Sequence, residues 1–153
     1  MNLFLSKYTN LVDKKGRVSI PSSYRAVLSN DSGSLYLVIS PSIKSQCLEV
    51  SSIKQLEAMN QIIQKLDPYC PERDAFETII MGEATQLCCD NEGRVVLPKA
   101  LLEYAEIDTK IVFVGKGQVF EIWNPNKFEH HLQQSRIIAK QNLSILKNLS
   151  FGD

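Results

Sequence analysis

A chain of 153 residues with 44% hydrophobic residues is long enough for one core, held by a single domain or by two interlocked halves. Its seventeen basic and seventeen acidic side chains cancel, which excludes a chain that coats nucleic acid or membrane by bulk charge; any electrostatic function must be local. The apolar run at Leu3-Phe4-Leu5 is too short for a secretory signal and no stretch approaches a membrane span, so the expected protein is cytosolic, with no membrane partner and with Cys47, Cys70, Cys88 and Cys89 as reduced thiols.

In chain order, residues 3–12 read as a strand, followed by Asp13-Lys14-Lys15-Gly16-Arg17-Val18-Ser19-Ile20-Pro21. Gly16 suits a turn because it adopts positive φ without steric cost, and the alternation of Val18 and Ile20 with Ser19 gives the next strand one buried face. Pro21 ends that strand and opens a helix carrying Tyr24, Val27 and Leu28. Lys7, Lys14, Lys15, Arg17 and Arg25 stand against Asp13 alone in this stretch. Strands follow at 35–39 and 46–50, then a helix over 51–66 with Ile53, Leu56, Met59, Ile63 and Leu66 on one face, stopped by Asp67-Pro68. Residues 71–81 predict a second helix, closed by Gly82.

After a strand at 84–89 the first pattern returns as Asp90-Asn91-Glu92-Gly93-Arg94-Val95-Val96-Leu97-Pro98, 77 positions on, and Leu101, Tyr104 and Ala105 repeat the helical triplet at that same offset. Two further strands, 111–114 and 118–123, form a hairpin about Gly115-Lys116-Gly117. Gln118-Val119-Phe120-Glu121-Ile122 matches Gln46-Cys47-Leu48-Glu49-Val50 at an offset of 72, which places a five-residue shortening at Asn30-Asp31-Ser32-Gly33-Ser34. Asn124-Pro125 then caps a helix through Phe128, Leu132 and Ile138 toward Leu146. Each copy is about four short strands and one short helix, too small to bury a core alone, so the two should interlock.

The informative difference lies between the turns. Lys14, Lys15 and Arg17 cluster about a glycine in the first, where arginine could bond guanine and lysines neutralise phosphates; the second has Asn91 and Glu92, and a carboxylate repels phosphate. Alone, D-x-x-G-R also describes an ordinary solvated turn; the duplication ties Asp13, Asp90, Gly16 and Gly93 to the architecture and lets Arg17 and Arg94 brace it. The DNA-binding candidates are therefore Lys14, Lys15, Arg17 and Arg25, with Arg94 and Lys99 as auxiliaries and the second copy largely structural.

An enzyme is not expected. His130 and His131 are adjacent on a helix and diverge by about 100 degrees, so they read as surface residues rather than a chelating pair. Cys88 and Cys89 should point to opposite faces of a strand, one of them filling the core. No phosphate loop, metal-binding or nucleophile motif occurs, and no cofactor or metal is expected. Trp123 reads as packing rather than as a base-stacking platform.

The doubled motif, with Tyr24-Arg25 after the first copy and Val114-Gly115 and Phe120-Glu121-Ile122-Trp123 in the second, resembles the MraZ family, whose members carry two SpoVT/AbrB-type motifs in one chain. The resemblance runs from about Phe4 to Trp123 and includes the insert from Pro71-Glu72-Arg73 to Gly82. It implies an α+β fold: a double-split swapped-hairpin AbrB-like β-barrel formed by two internal repeats, with flanking helices. It divides the chain into a first repeat over 1–50, a helical linker over 51–82, a second repeat over 83–123, and a C-terminal helix and tail over 124–153. It further implies a ring-shaped homo-oligomer, cytoplasmic and nucleoid-associated. That ring would be a sequence-specific transcriptional regulator binding double-stranded DNA at tandem repeats before the division and cell-wall gene cluster. The family's basic turn falls on Lys14, Lys15 and Arg17, with Arg25 beside it. Two departures stand out: Ser6 where a glycine is common, and Glu103, after Leu101-Leu102, where an arginine is frequent. The alternatives are an AbrB-type antitoxin with a toxin-binding C-terminal helix, and a structural ring or adaptor that never touches DNA.

Overall fold

The computed structural model describes residues 3–29 and 35–149. The first motif lies within β1 (Lys7–Leu11), β2 (Arg17–Ser19), α1 (Ser22–Leu28), β3 (Tyr36–Pro41) and β4 (Leu48–Ser51). Helices α2 (Ile53–Ile63) and α3 (Pro71–Phe76) follow, the latter running on as a π-helical turn, Glu77–Met81. The pattern then repeats as β5 (Thr85–Cys88), β6 (Arg94–Val96), α4 (Lys99–Tyr104), β7 (Lys110–Gly115) and β8 (Phe120–Trp123), before α5 (Pro125–Gln141) and α6 (Leu143–Asn148).

The fold is α+β with antiparallel sheets, and the copies exchange strands. β1 pairs with β7 of the second copy, and β5 pairs with β3 of the first, in equivalent registers: Leu11 lies opposite Lys110, and Cys88 opposite Tyr36. Hairpins β3–β4 and β7–β8 meet through β4 and β8, giving the order β1-β7-β8-β4-β3-β5. Strands β2 and β6 form a separate two-stranded ribbon. Among the described residues strand pairing does not close into a circle, because β1 and β5 remain the edges of the six-stranded sheet.

One apolar cluster fills the space between sheet and ribbon. Val18, Ile20, Val95 and Leu97 enter from the ribbon strands and their ends, Leu37, Ile39, Ile111, Phe113, Phe120 and Ile122 from the sheet, and Tyr24 and Leu101 from α1 and α4. Burying each such large side chain stabilises the fold by roughly 1.5–3 kcal/mol, which explains why three-residue strands persist. Tyr24 is wholly buried, edge-on to Phe4 and Phe113, and donates its hydroxyl to the Ser6 carbonyl at 2.6 Å. Burial pushes that hydroxyl's pKa up.

The repeat offset falls in two steps. It is 77 between β2 and β6, 74 between β3 and β7, and 72 between β4 and β8. Three residues of the shortening thus lie between α1 and β3, a segment that includes residues 30–34, themselves outside the described residues. The other two are lost from the β3–β4 connection, where the second copy has the tighter turn. Helix ends also differ from the sequence expectation. α2 is capped by Ser52, whose Oγ accepts the Gln55 N–H, and finishes at Ile63 rather than at 66. The C-terminal helix breaks at Asn142, where the amide side chain donates to the Ile138 carbonyl before α6 restarts.

Candidate nucleic-acid interface

Each motif turn is built by its aspartate. Asp13 Oδ1 accepts the backbone N–H groups of Lys15 and Arg17, both at 2.9 Å, while Oδ2 accepts Arg17 Nε–H at 2.7 Å. Asp90 repeats this with Glu92 and Arg94, at 2.9, 2.9 and 3.0 Å. The backbone N–H of Arg17 is the main reason the Asp13 carboxyl sits below the ordinary carboxylate value, and that of Arg94 does the same for Asp90. Gly16 and Gly93 close the turns at φ of 80° and 79°, conformations that side chains disfavour.

The turns lie at opposite ends of the ribbon, because β2 and β6 run antiparallel. Arg17 stands opposite Val96, Val18 opposite Val95, and Ser19 opposite Arg94. Val18 and Val95 point into the core, so Arg17, Ser19, Arg94 and Val96 share the outer face. Gly16 C=O accepts the Leu97 N–H, and Gly93 C=O accepts the Ile20 N–H, so each turn is bonded to the strand end of the other copy.

This cross-over relocates one candidate. Arg25 belongs to the second turn: its guanidinium lies 2.6 Å from where a Cβ on Gly93 would sit, and its Nε donates to the Ile20 carbonyl at 3.1 Å. Lys99 is exposed at the start of α4, two residues after Leu97, whose N–H bonds the Gly16 carbonyl. Adjacency in sequence sets Arg25 beside the first turn, whereas its helix follows a strand that ends beside the opposite one.

The two ends differ in charge. Arg17 is paired with Asp13 alone among the described residues, and Lys14 and Lys15 are exposed beside it. Arg94 sits between Asp90, at 3.0 Å, and Glu92, at 3.4 Å. Lys14 and Lys15 have no carboxylate within ion-pair distance among the described residues.

The other polar side chains are engaged structurally. Glu121, expected only as a strand residue, is 2% exposed; it accepts Trp123 Nε1–H at 2.9 Å and pairs with Lys116 at 3.4 Å. Trp123 packs on Phe128 and stacks on His131 with ring centroids 4.7 Å apart, so His131 is half-buried rather than a plain surface residue. Cys89 turns toward the core while Cys88 is exposed; burial raises the Cys89 thiol to about 11 and the Cys47 thiol to about 12. Among the described residues no helix is long and apolar enough to cross a membrane.

Residues 80–145 match the family described as "MraZ protein, putative antitoxin-like". Proteins named "Transcriptional regulator MraZ" from Rickettsia felis (strain ATCC VR-1525 / URRWXCal2) and Rickettsia akari (strain Hartford) are 51% and 50% identical over 150 residues, covering 97% of this chain and 99% of each relative. The protein of that name from Rickettsia typhi (strain ATCC VR-144 / Wilmington) is 48% identical over 151 residues. With half of its residues shared across nearly its whole length, the chain belongs to the MraZ family, a family of transcriptional regulators and not of enzymes.

Proposed function

We propose that this regulator binds double-stranded DNA sequence-specifically, with the first-copy end of the β2–β6 ribbon in the major groove. The observation that carries the reading is the charge asymmetry of two otherwise superposable turns: Lys14, Lys15 and Arg17 against Asp13 at one end, Arg94 held between Asp90 and Glu92 at the other. A two-stranded ribbon fits the major groove, where the guanidinium of Arg17 can bond guanine O6 and N7 while the lysines meet phosphates. Lys99 adds a cation to this end. Arg25 and Arg94 serve from the other, Arg25 chiefly by holding the Gly93 turn.

On this reading the two repeats, 1–50 and 83–123, together form an AbrB-like swapped-hairpin barrel, with 51–82 as the linker and 124–153 as the C-terminal helix and tail. Several copies associate as a ring, so that weak single turns facing tandem promoter repeats of the division and cell-wall genes gain affinity through effective concentration. The protein then works in the cytoplasm at the nucleoid.

The test is fluorescence anisotropy with duplexes carrying tandem promoter repeats or scrambled versions, titrated across salt. Preference for the repeats, lost in Arg17→Ala, supports the reading. Equal or absent binding by the wild type removes it in favour of an adaptor or antitoxin-like role, and undiminished preference in Arg17→Ala removes the site.

A further inference from the structure

The geometry points to Val96, contributed by the second copy, as a specificity-determining residue that reads a thymine methyl group beside the guanine met by Arg17. This rests on the DNA-binding reading above and names a substrate feature that reading leaves open. Four side chains make up the outer face of the ribbon, and three of them are polar. Val96 is the exception: it is 55% exposed, although its chain neighbours Val95 and Leu97 are each 2% exposed. Its repeat equivalent is Ser19, so the architecture does not require an apolar residue there.

The position of Val96 ties it to the cationic end. Leu97 N–H to Gly16 O and Ile20 N–H to Gly93 O mark the hydrogen-bonded positions of the ribbon, which makes Arg17 and Val96 a non-hydrogen-bonded pair. That is the closer kind, with Cα atoms about 4.5 Å apart and side chains in reach of each other. Val96 Cγ1 also lies 3.8 Å from where a Cβ on Gly16 would sit, so the valine methyls rest against the first turn. The face therefore sets an arginine and an exposed valine on paired positions of one ribbon end, within the span of neighbouring base pairs, whose spacing along a DNA strand is roughly 3.4 Å. In the major groove the C5-methyl of thymine is the one apolar group on a base edge, and an exposed aliphatic side chain is its matching surface.

The experiment begins with duplexes that the full-length wild-type protein selects from a randomised pool. Each thymine of the selected repeat is then replaced in turn by deoxyuridine, which removes only the methyl, and affinities are measured for wild type, Val96→Ala and Val96→Thr. One position next to a guanine is expected to lose about three- to fivefold affinity in the wild type, the worth of one buried methyl. Val96→Ala should bind the thymine and uracil duplexes at that position equally, and Val96→Thr, which keeps one methyl and the β-branch, should retain part of the difference. Wild type indifferent to every replacement overturns the assignment, as does a Val96→Ala variant with unchanged discrimination. Failure of the pool to yield any preferred duplex instead removes the DNA-binding reading, and this assignment with it.

Discussion

Arg25 and Gly93 come from different copies of the repeat, yet the guanidinium of one covers the α-carbon of the other so closely that an added methyl would lie 2.6 Å from it. Gly93→Ala therefore combines a disfavoured backbone conformation, worth about 1–2 kcal/mol, with crowding of a side chain that can partly move aside. In denaturant melts, Gly93→Ala and Arg25→Ala should be coupled by at least about 0.5 kcal/mol, whereas Gly16→Ala and Arg25→Ala should add. The opposite pattern would return Arg25 to its own copy's turn.

Ser6 occupies the left-handed region at φ 75°, and its carbonyl accepts both the Tyr24 hydroxyl and the Gly115 N–H. Ser6→Gly should stabilise the protein by about 0.5–1 kcal/mol, the relief of left-handed strain less the added freedom of the unfolded chain. A lower melting midpoint for Ser6→Gly would show that the serine contributes something beyond its backbone.

Acid should loosen the two turns together. Asp13 and Asp90 have folded pKa values below the ordinary carboxylate value, because backbone N–H groups of Arg17 and Arg94 bind their charged forms. Their contribution is therefore complete above the ordinary value and is lost as pH falls through the folded values. Thermal melting from pH 7 to about pH 2.5 should show a shallower acid limb in the Asp13→Asn, Asp90→Asn double variant. Parallel curves for the two proteins would refute the assignment.

Charge at the ribbon ends predicts unequal effects on DNA. Lys14→Ala and Lys15→Ala should each reduce the slope of log affinity against log salt by about 0.9 while keeping sequence preference. Arg94→Ala, which removes a cation already held by two carboxylates, should change that slope less. Equal slopes for all three variants would mean that the ends are electrostatically alike when bound.

Much of this site can be read from the chain because the turns are local. Asp13, Gly16 and Arg17 are bonded within five residues, so the motif carries their geometry, and its recurrence at Asp90, Gly93 and Arg94 declares the internal symmetry. The strand exchange is different: the need for interlocking follows from the size of each copy, but nothing in the pattern says that Leu97 will bond Gly16 or that Arg25 will cross to Gly93. Those contacts are set by antiparallel pairing of segments 77 residues apart. The break at Asn142 was hidden for another reason, since Ile138, Leu143, Ile145 and Leu146 continue an apolar pattern while one amide side chain competes for the helix carbonyl. Glu121 was missed because its partners, Lys116 and Trp123, define it only once the hairpin is folded.

Joining both copies in one chain also has a directional consequence. A symmetric pair of single-motif chains must present two identical ends, whereas here mutation could place lysines at one end of the ribbon and a glutamate at the other without disturbing the pairing between them. The ribbon thus has a head and a tail. On the proposed reading, such a probe meets DNA in one orientation, which suits sites arrayed as direct repeats rather than palindromes.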